Sequence, residues 1–217
     1  MLSLLSGMNK VNEGEVFLYD KNIRNISYRE MAKNIAMVHQ QNEVPLDLTV
    51  IDLISFGRMP YKKPFEPYND EDEELVQWAM DITGVTHYRY NRVMELSGGE
   101  RQRVFIAMAL AQNTEIIFLD EPTTYLDIYH QIQVLDIIKD LNRKQNKTVI
   151  MVLHDINQAV QYSDNIIIMK NGEKVIAGDS KNIINSNIIE EVYGIRGIMF
   201  KETREYPNYF IPISNAY

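Results

Sequence analysis

The stretch ELSGGERQR sets Ser97, Gly98, Gly99 and Glu100 at the head of an apolar run, VFIAMALAQ. Ser97 and Glu100 have the S-x-x-E spacing of a capping box, which opens a helix by satisfying its first free N–H groups. That accounts for two residues and leaves the glycines unexplained. Each glycine in a first helical turn costs roughly 1 kcal/mol against alanine. Lacking side chains, Gly98 and Gly99 let another group approach the helix N-terminus, where bare amides favour a phosphate. About one helix later, IIFLDEPTTYLD brings Asp120 and Glu121 side by side at the end of an apolar run. One carboxylate there suits Mg2+, often through water, and the other suits polarising an attacking water. A strand ending in Asp-Glu says little alone. Here it follows LSGGE and precedes TVIMVLHD, a further run that ends at His154, and the order makes the set informative.

Structural roles stand open beside these. His154 fits a satisfied histidine at a strand end, and Asp127 fits the cap of the helix running through IYHQIQVLDIIKDL. Gln40, with Gln41 adjacent, fits a surface loop, and Tyr125 reads as packing.

These residues need elements to hold them. IAMVH before Gln40, IIFL before Asp120 and TVIMVL before His154 are continuously apolar, as strands covered on both faces are, so the pattern predicts a parallel sheet with helices around it. Ligands of such sheets sit at the carboxyl ends of strands, where each of these polar residues falls. Between Gln40 and Ser97 the pattern is mostly helical. PYKKPFEPY is a loop, and YNDEDEELVQWAMDITG is a helix with acids in its first turn and a stop at Gly84; the acidic run reads as a solvated helix start. After His154 come a short helix and NIIIMKNGEKVIAG, where Asn171-Gly172 marks a tight hairpin. At the other end, MLSLLSG has helical spacing and a stop at Gly7 but no capping residue before it. There is no internal repeat and no low-complexity linker.

The 217 residues are 45% hydrophobic and 24% charged, enough for one sizeable core or two small ones. A net charge of -8 argues against nucleic acid or an anionic membrane as the main partner, so a membrane role would run through a protein. The absence of cysteine excludes disulfides, thiolate metal sites and cysteine nucleophiles, and fits a cytosolic protein. The opening segment lacks the basic region of a secretory signal, and Ser3, Ser6 and Gly7 interrupt its apolar run. The other apolar runs are too short to cross a bilayer.

LSGGERQR, IIFLDEP, YLD and VLHD, with a glutamine closing an upstream strand, together resemble the ATP-binding subunit of ABC transporters across essentially the whole chain. EPTTYLDIYHQ, GRMPYKKPF, VLHDINQA and the late YPNYFIPI are similar to importers of iron siderophores, haem or cobalamin. The resemblance implies a single α/β domain of the P-loop NTPase (RecA-like) type. Its parallel-sheet core would be 1–40 and 114–217, and the inserted helical subdomain with the signature would be 41–113. It implies ATP and Mg2+ as cofactors. Gln40 would touch Mg2+ and the attacking water. Leu96 to Glu100, with Ser97, Gly98 and Gly99 between them, would grip the γ-phosphate of ATP bound by the opposite subunit. Asp120 would hold Mg2+, Glu121 would be the general base, Asp127 would belong to a loop crossing the dimer interface, and His154 would contact the γ-phosphate. Implied partners are a second ATPase subunit, integral membrane permease subunits and, indirectly, an extracytoplasmic substrate-binding protein, with no nucleic acid. The implied location is cytoplasmic, peripheral on the inner face of the membrane.

The family also carries G-x-x-x-x-G-K-[ST], whose backbone wraps the phosphates and whose lysine reaches the β and γ oxygens. None of the ten glycines here is followed by lysine. MLSLLSG and then NEGEVFLYD, a helix followed by a G-E-V strand, match what comes directly after that loop in the family. The expectation is a chain resuming just past the P-loop, without it, the N-terminal strands or the aromatic that stacks on adenine. Such a chain would bind MgATP very weakly alone, hydrolyse it negligibly and fold marginally. The alternative is a non-catalytic partner that supplies LSGGE in trans to an intact ATPase subunit. A soluble ABC ATPase of translation or DNA repair is disfavoured, because such proteins usually carry two cassettes or a coiled-coil insertion.

Overall fold

The computed structural model describes residues 1–40, 45–201, 203 and 208–215. Gln41, the neighbour weighed against Gln40, and the Tyr206-Pro207 step of YPNYFIPI lie outside them. The chain forms two compact units, Met1–Val152 and Leu153–Tyr217.

The first unit begins with α1 (Leu2–Leu5), which has no side-chain cap. A short antiparallel pair follows, β1 (Phe17–Leu18) with β2 (Lys21–Asn22). The strand expected at Gly-Glu-Val starts later, at Phe17. After Asn22 the paired strand turns at once into the 3-10 turn Ile23–Asn25, and the Val16 carbonyl accepts from the Ile23 N–H at 3.0 Å. Next are α2 (Tyr28–Met31), capped by Ser27, and β3 (Ile35–Val38).

Beyond β3 lie α3 (Val50–Ser55), the 3-10 segment Phe56–Tyr61 and α4 (Asp70–Thr83). The Asn69–Asp72 capping box starts α4 and a left-handed Gly84 stops it, as the acid-rich pattern predicts. Two 3-10 turns, Thr86–Tyr88 and Val93–Glu95, lead into α5 (Gly98–Ala111). The VFIAMALA stretch of α5 is apolar on every side, so the helix is buried on nearly every side and packs against α3, α4 and β3. The unit closes with β4 (Ile116–Asp120), α6 (Ile128–Gln145) and β5 (Thr148–Val152).

Among the described residues β3, β4 and β5 form one parallel sheet in that order, with Val38 opposite Leu119 and Asp120 opposite Val152. All three predicted strands are therefore present, and their carboxyl ends share one edge. Leu2, Leu18, Ile23, Met31, Ile35 and Phe118 form a core cluster against which Ile150 and Val152 pack.

The second unit holds α7 (Ile156–Tyr162), capped by Asp155, then β6 (Asn165–Lys170) and β7 (Glu173–Asp179). These strands pair antiparallel, and Asn171 and Gly172 between them have φ of 52° and 83°. Two successive left-handed residues are what a two-residue hairpin turn needs, which is why Asn-Gly announces it. After α8 (Ser180–Ile183) and α9 (Ser186–Tyr193), β8 (Ile195–Phe200) pairs antiparallel with β9 (Tyr209–Asn215). Val160, Ile168, Ile184, Ile189 and Phe210 form the core of this unit.

Candidate functional site

At the carboxyl edge of the sheet, two chain segments meet. Gln40 lies two residues past β3, and Glu121 directly follows Asp120, the last residue of β4. Gln40 Nε2 donates to Glu121 Oε2 at 2.5 Å, and the Thr124 hydroxyl donates to the same oxygen at 3.0 Å. Glu121 has φ of 52°, in the left-handed region. A non-glycine residue held there costs on the order of 1–3 kcal/mol and persists only where its surroundings enforce it. Here the Thr124 N–H donates to the Glu121 carbonyl at 3.2 Å, closing a turn that fixes the carboxylate against Gln40. Asp120, half-buried at the strand end, brings a second carboxylate to the same edge. Asp120 and the Gln40 amide oxygen are hard donors of the kind Mg2+ takes while keeping several waters. No cluster of three or more histidine and carboxylate ligands forms among the described residues.

The head of α5 is a complete capping box. The Glu100 N–H donates to Ser97 Oγ at 3.4 Å, while Ser97 N–H and Oγ both donate to Glu100 Oε2 at 2.8 Å. The Tyr88 hydroxyl donates to the other oxygen, Oε1. The bond from Tyr88 and then those from Ser97 hold the Glu100 carboxyl down at about 2. The two glycines differ. A Cβ on Gly98 would meet only Leu126 Cδ2, at an ordinary 3.9 Å, so the approach there is open. A Cβ on Gly99 would stand 2.4 Å from His130 Cγ and 2.5 Å from Cδ2. At Gly99 the group that approaches comes from within the chain. Its space is already taken by the His130 ring of the same chain.

Asp127 caps α6, accepting from the His130 N–H at 3.0 Å and lying 2.9 Å from His130 Nδ1. The backbone bond and then the side-chain bond from His130 hold the Asp127 carboxyl below the ordinary aspartate value. The Gln131 amide spans the preceding loop, donating to the carbonyls of Leu126 at 2.9 Å and Thr123 at 3.3 Å. Tyr125 is not packed. It is 84% exposed with φ of 64°, because the turn after Glu121 points it into solvent. Ile128, Tyr129 and Ile132 are exposed with it. His154 belongs to the second unit, where it is exposed just before the Asp155 cap of α7.

The family model for ABC transporters matches residues 1–124. The chain belongs to the ABC transporter ATPase family. It is 43% identical over 201 residues to the petrobactin import ATP-binding protein FpuC of Bacillus anthracis, covering 93% of this chain and 74% of that one. It is 40% identical to the iron(3+)-hydroxamate import ATP-binding protein FhuC of Bacillus subtilis, covering 90% and 72%. With the ferric enterobactin transport ATP-binding protein FepC of Escherichia coli it shares 42% identity over 90% of this chain and 72% of that one. Among solved structures, an ABC transporter in an inward-facing conformation superposes with a TM-score of 0.84 at 27% identity, over 98% of this chain and 80% of that chain. The dimeric post-hydrolysis state of the ATP-binding cassette MJ0796, bound to ADP and Pi, gives 0.71 at 28% identity, over 84% and 80%.

In this ABC ATPase, three residues that hold the site had no signal of their own. Tyr88 sits in HYRYN, which matches no motif, and reaches Glu100 only through the turn before α5. Thr124 and His130 lie inside EPTTYLDIYHQ, a stretch informative for resemblance but silent about which side chains touch. No helix among the described residues is long and apolar enough to cross a membrane.

Proposed function

We propose that this chain is the ATP-binding and ATP-hydrolysing subunit of an importer for iron siderophores or related iron chelates. The hydrogen bond from Gln40 to Glu121 carries the proposal, because it ties the segment leaving β3 to the carboxylate that follows β4. The cargo is inferred from relatives named for petrobactin, iron(3+)-hydroxamate and enterobactin. In this proposal residues 41–113 form a helical subdomain inserted in one ABC domain, and the chain pairs with a second ATPase subunit. The pair docks on the cytoplasmic side of integral membrane permease subunits, which an extracytoplasmic substrate-binding protein supplies.

Glu121 is the general base. Gln40 and Thr124 orient its carboxylate, which takes the proton of the attacking water. Asp120 and Gln40 would hold Mg2+, which supplies charge neutralisation on the phosphate oxygens when bound. The head of α5 is open to the γ-phosphate of ATP on the opposite subunit at Gly98, and the Ser97 hydroxyl, which here donates to Glu100 Oε2, would turn from it to that phosphate. Asp127 faces that subunit, and His154 contacts the γ-phosphate.

These 217 residues contain no Gly-Lys step. The lysine that grips the β and γ oxygens is therefore not among them, and on their own they bind MgATP weakly and hydrolyse it negligibly. Calorimetric titration of MgATP into the purified chain, beside a fusion carrying a G-x-x-x-x-G-K-[ST] segment, tests this. Only the fusion binds and hydrolyses, and Glu121→Gln in it stops hydrolysis while leaving binding. Micromolar binding by the chain alone, about -8 kcal/mol, would refute the account of its phosphate contacts.

A second proposal, that the chain supplies LSGGE in trans to an intact subunit without catalysing, is favoured by the completeness of the α5 capping box beside the open Gly98. In a mixed dimer it requires Ser97→Arg to impair hydrolysis and Glu121→Gln to leave it intact. Impairment by both assigns catalysis to this chain.

A further inference from the structure

His130 stands between two parts of the site that the sequence keeps apart, the LSGGE helix and the Asp127 loop. Its backbone N–H and its Nδ1 both engage the Asp127 carboxylate, at 3.0 and 2.9 Å. Its ring fills the space a side chain at position 99 would need, with Cγ, Cδ2 and Cβ all within 2.8 Å of where that Cβ would stand. The side chain is 24% exposed, and Tyr129 lies edge-on to it with ring centroids 5.4 Å apart.

We propose that His130 is a positioning residue that wedges against Gly99 and holds Asp127, so that the head of the LSGGE helix and the Asp127 loop move as one body. Close-packed groups transmit displacement, because a few tenths of an ångström already cost contact energy. Motion of Asp127 therefore reaches Gly99 through the imidazole, whereas Gly98, with only Leu126 at ordinary contact, stays open to a ligand. Both halves of the side chain are needed. The nitrogen holds the carboxylate and the ring carbons hold the glycine. The consequence, that a second subunit pressing on Asp127 also shifts the γ-phosphate donors, rests on the function proposed above. The link itself rests on this chain alone.

Three variants separate the two halves, none of them requiring nucleotide. His130→Asn keeps a donor where Nδ1 stands but loses the ring, His130→Phe keeps a ring without the donor, and His130→Ala loses both. Amide hydrogen exchange over residues 96–102 reads the wedge. NMR titration of the Asp127 carboxyl reads the bond, with circular dichroism and exchange over α4 checking the fold. His130→Ala and His130→Asn should speed exchange at the head of α5 by about tenfold and leave α4 unchanged, while His130→Phe should not. His130→Phe and His130→Ala should raise the Asp127 titration partway toward the ordinary 3.8, the backbone bond remaining, while His130→Asn should keep it low. If His130→Ala does not fold, the other two variants still give opposite patterns. The proposal is overturned if exchange in His130→Asn stays within about twofold of the native chain, or if Asp127 titrates alike in all forms. Failure of the fusion to hydrolyse ATP would sink the proposed function and leave both of these readouts standing.

Discussion

Replacing Asp72 by asparagine probes the buried ion cluster that braces the helical segment behind the LSGGE helix. Asp72 Oδ1 pairs with Arg58 Nε at 2.9 Å and Oδ2 pairs with Lys62 Nζ, with side chains 4%, 5% and 12% exposed. Arg58 also donates to the Ala111 carbonyl at 2.8 Å, and Tyr61, on which its guanidinium stacks at 4.2 Å, donates to the Gln112 carbonyl at 2.9 Å. The cluster thus ties the first turn of α4 to the last turn of α5. Asparagine with its amide oxygen where Asp72 Oδ2 stands keeps the acceptor for the Asn69 N–H, now at 3.1 Å, so the capping box survives, while the charge facing two cations is lost and an NH2 donor replaces the Oδ1 that accepts from Arg58 Nε. Removing one partner of a buried pair costs about 3–5 kcal/mol. Lys62 is near enough to the surface to turn outward, so the lower end, about 3 kcal/mol, applies. At about 2–4 °C per kcal/mol for a domain of this size, the melting midpoint falls by roughly 6–12 °C. Trp78, the single tryptophan, lies on α4 and reports urea unfolding by fluorescence.

The sign of the pH effect is worked from the same contacts. Burial raises the Asp72 carboxyl, but hydrogen bonds from Lys62, the Asn69 backbone and Arg58 outweigh it and leave the group below its ordinary 3.8. Its contribution is therefore complete above 3.8 and disappears as pH falls through the lower folded-state value. The native chain and Asp72→Asn should differ fully near neutral pH and converge in acid. A loss under about 1 kcal/mol near neutral pH, or a gap that does not shrink as pH falls well below 3.8, would refute the reasoning.

Two further outcomes follow from named contacts. Gly57→Ala places a Cβ 2.2 Å from the Met108 carbonyl oxygen, a backbone atom that moves only with α5, so thermal melting should show a loss of about 3 kcal/mol. A midpoint like that of the native chain would mean that the 3-10 segment is loosely held. The Glu100 carboxyl, held at about 2 against an ordinary 4.5, contributes stability above 4.5 that is lost as pH falls toward 2. Glu100→Gln should flatten that limb of the urea midpoint against pH, and an unchanged acid limb would show that Tyr88 and Ser97 do not favour the ionised form.

What the sequence settled by itself is local or periodic. Continuous apolar runs predicted β3, β4 and β5 because strands covered on both faces tolerate no polar alternation. The S-x-x-E box, Gly84 and Asn171-Gly172 are short-range devices whose geometry is decided within a few residues. Asp120 and Glu121 could be placed at a strand end for the same reason. Tertiary structure alone decided which side chains meet. It set Gln40 against Glu121, 81 residues away, because β3 and β4 are parallel neighbours with aligned ends. It also brought Tyr88 to Glu100, and Arg58 to both Asp72 and Ala111. It distinguished Gly98 from Gly99, which are equivalent as letters, by laying α6 across one of them. Residue type and spacing carry backbone preference and burial over a few turns, whereas a contact between distant side chains depends on how whole elements pack.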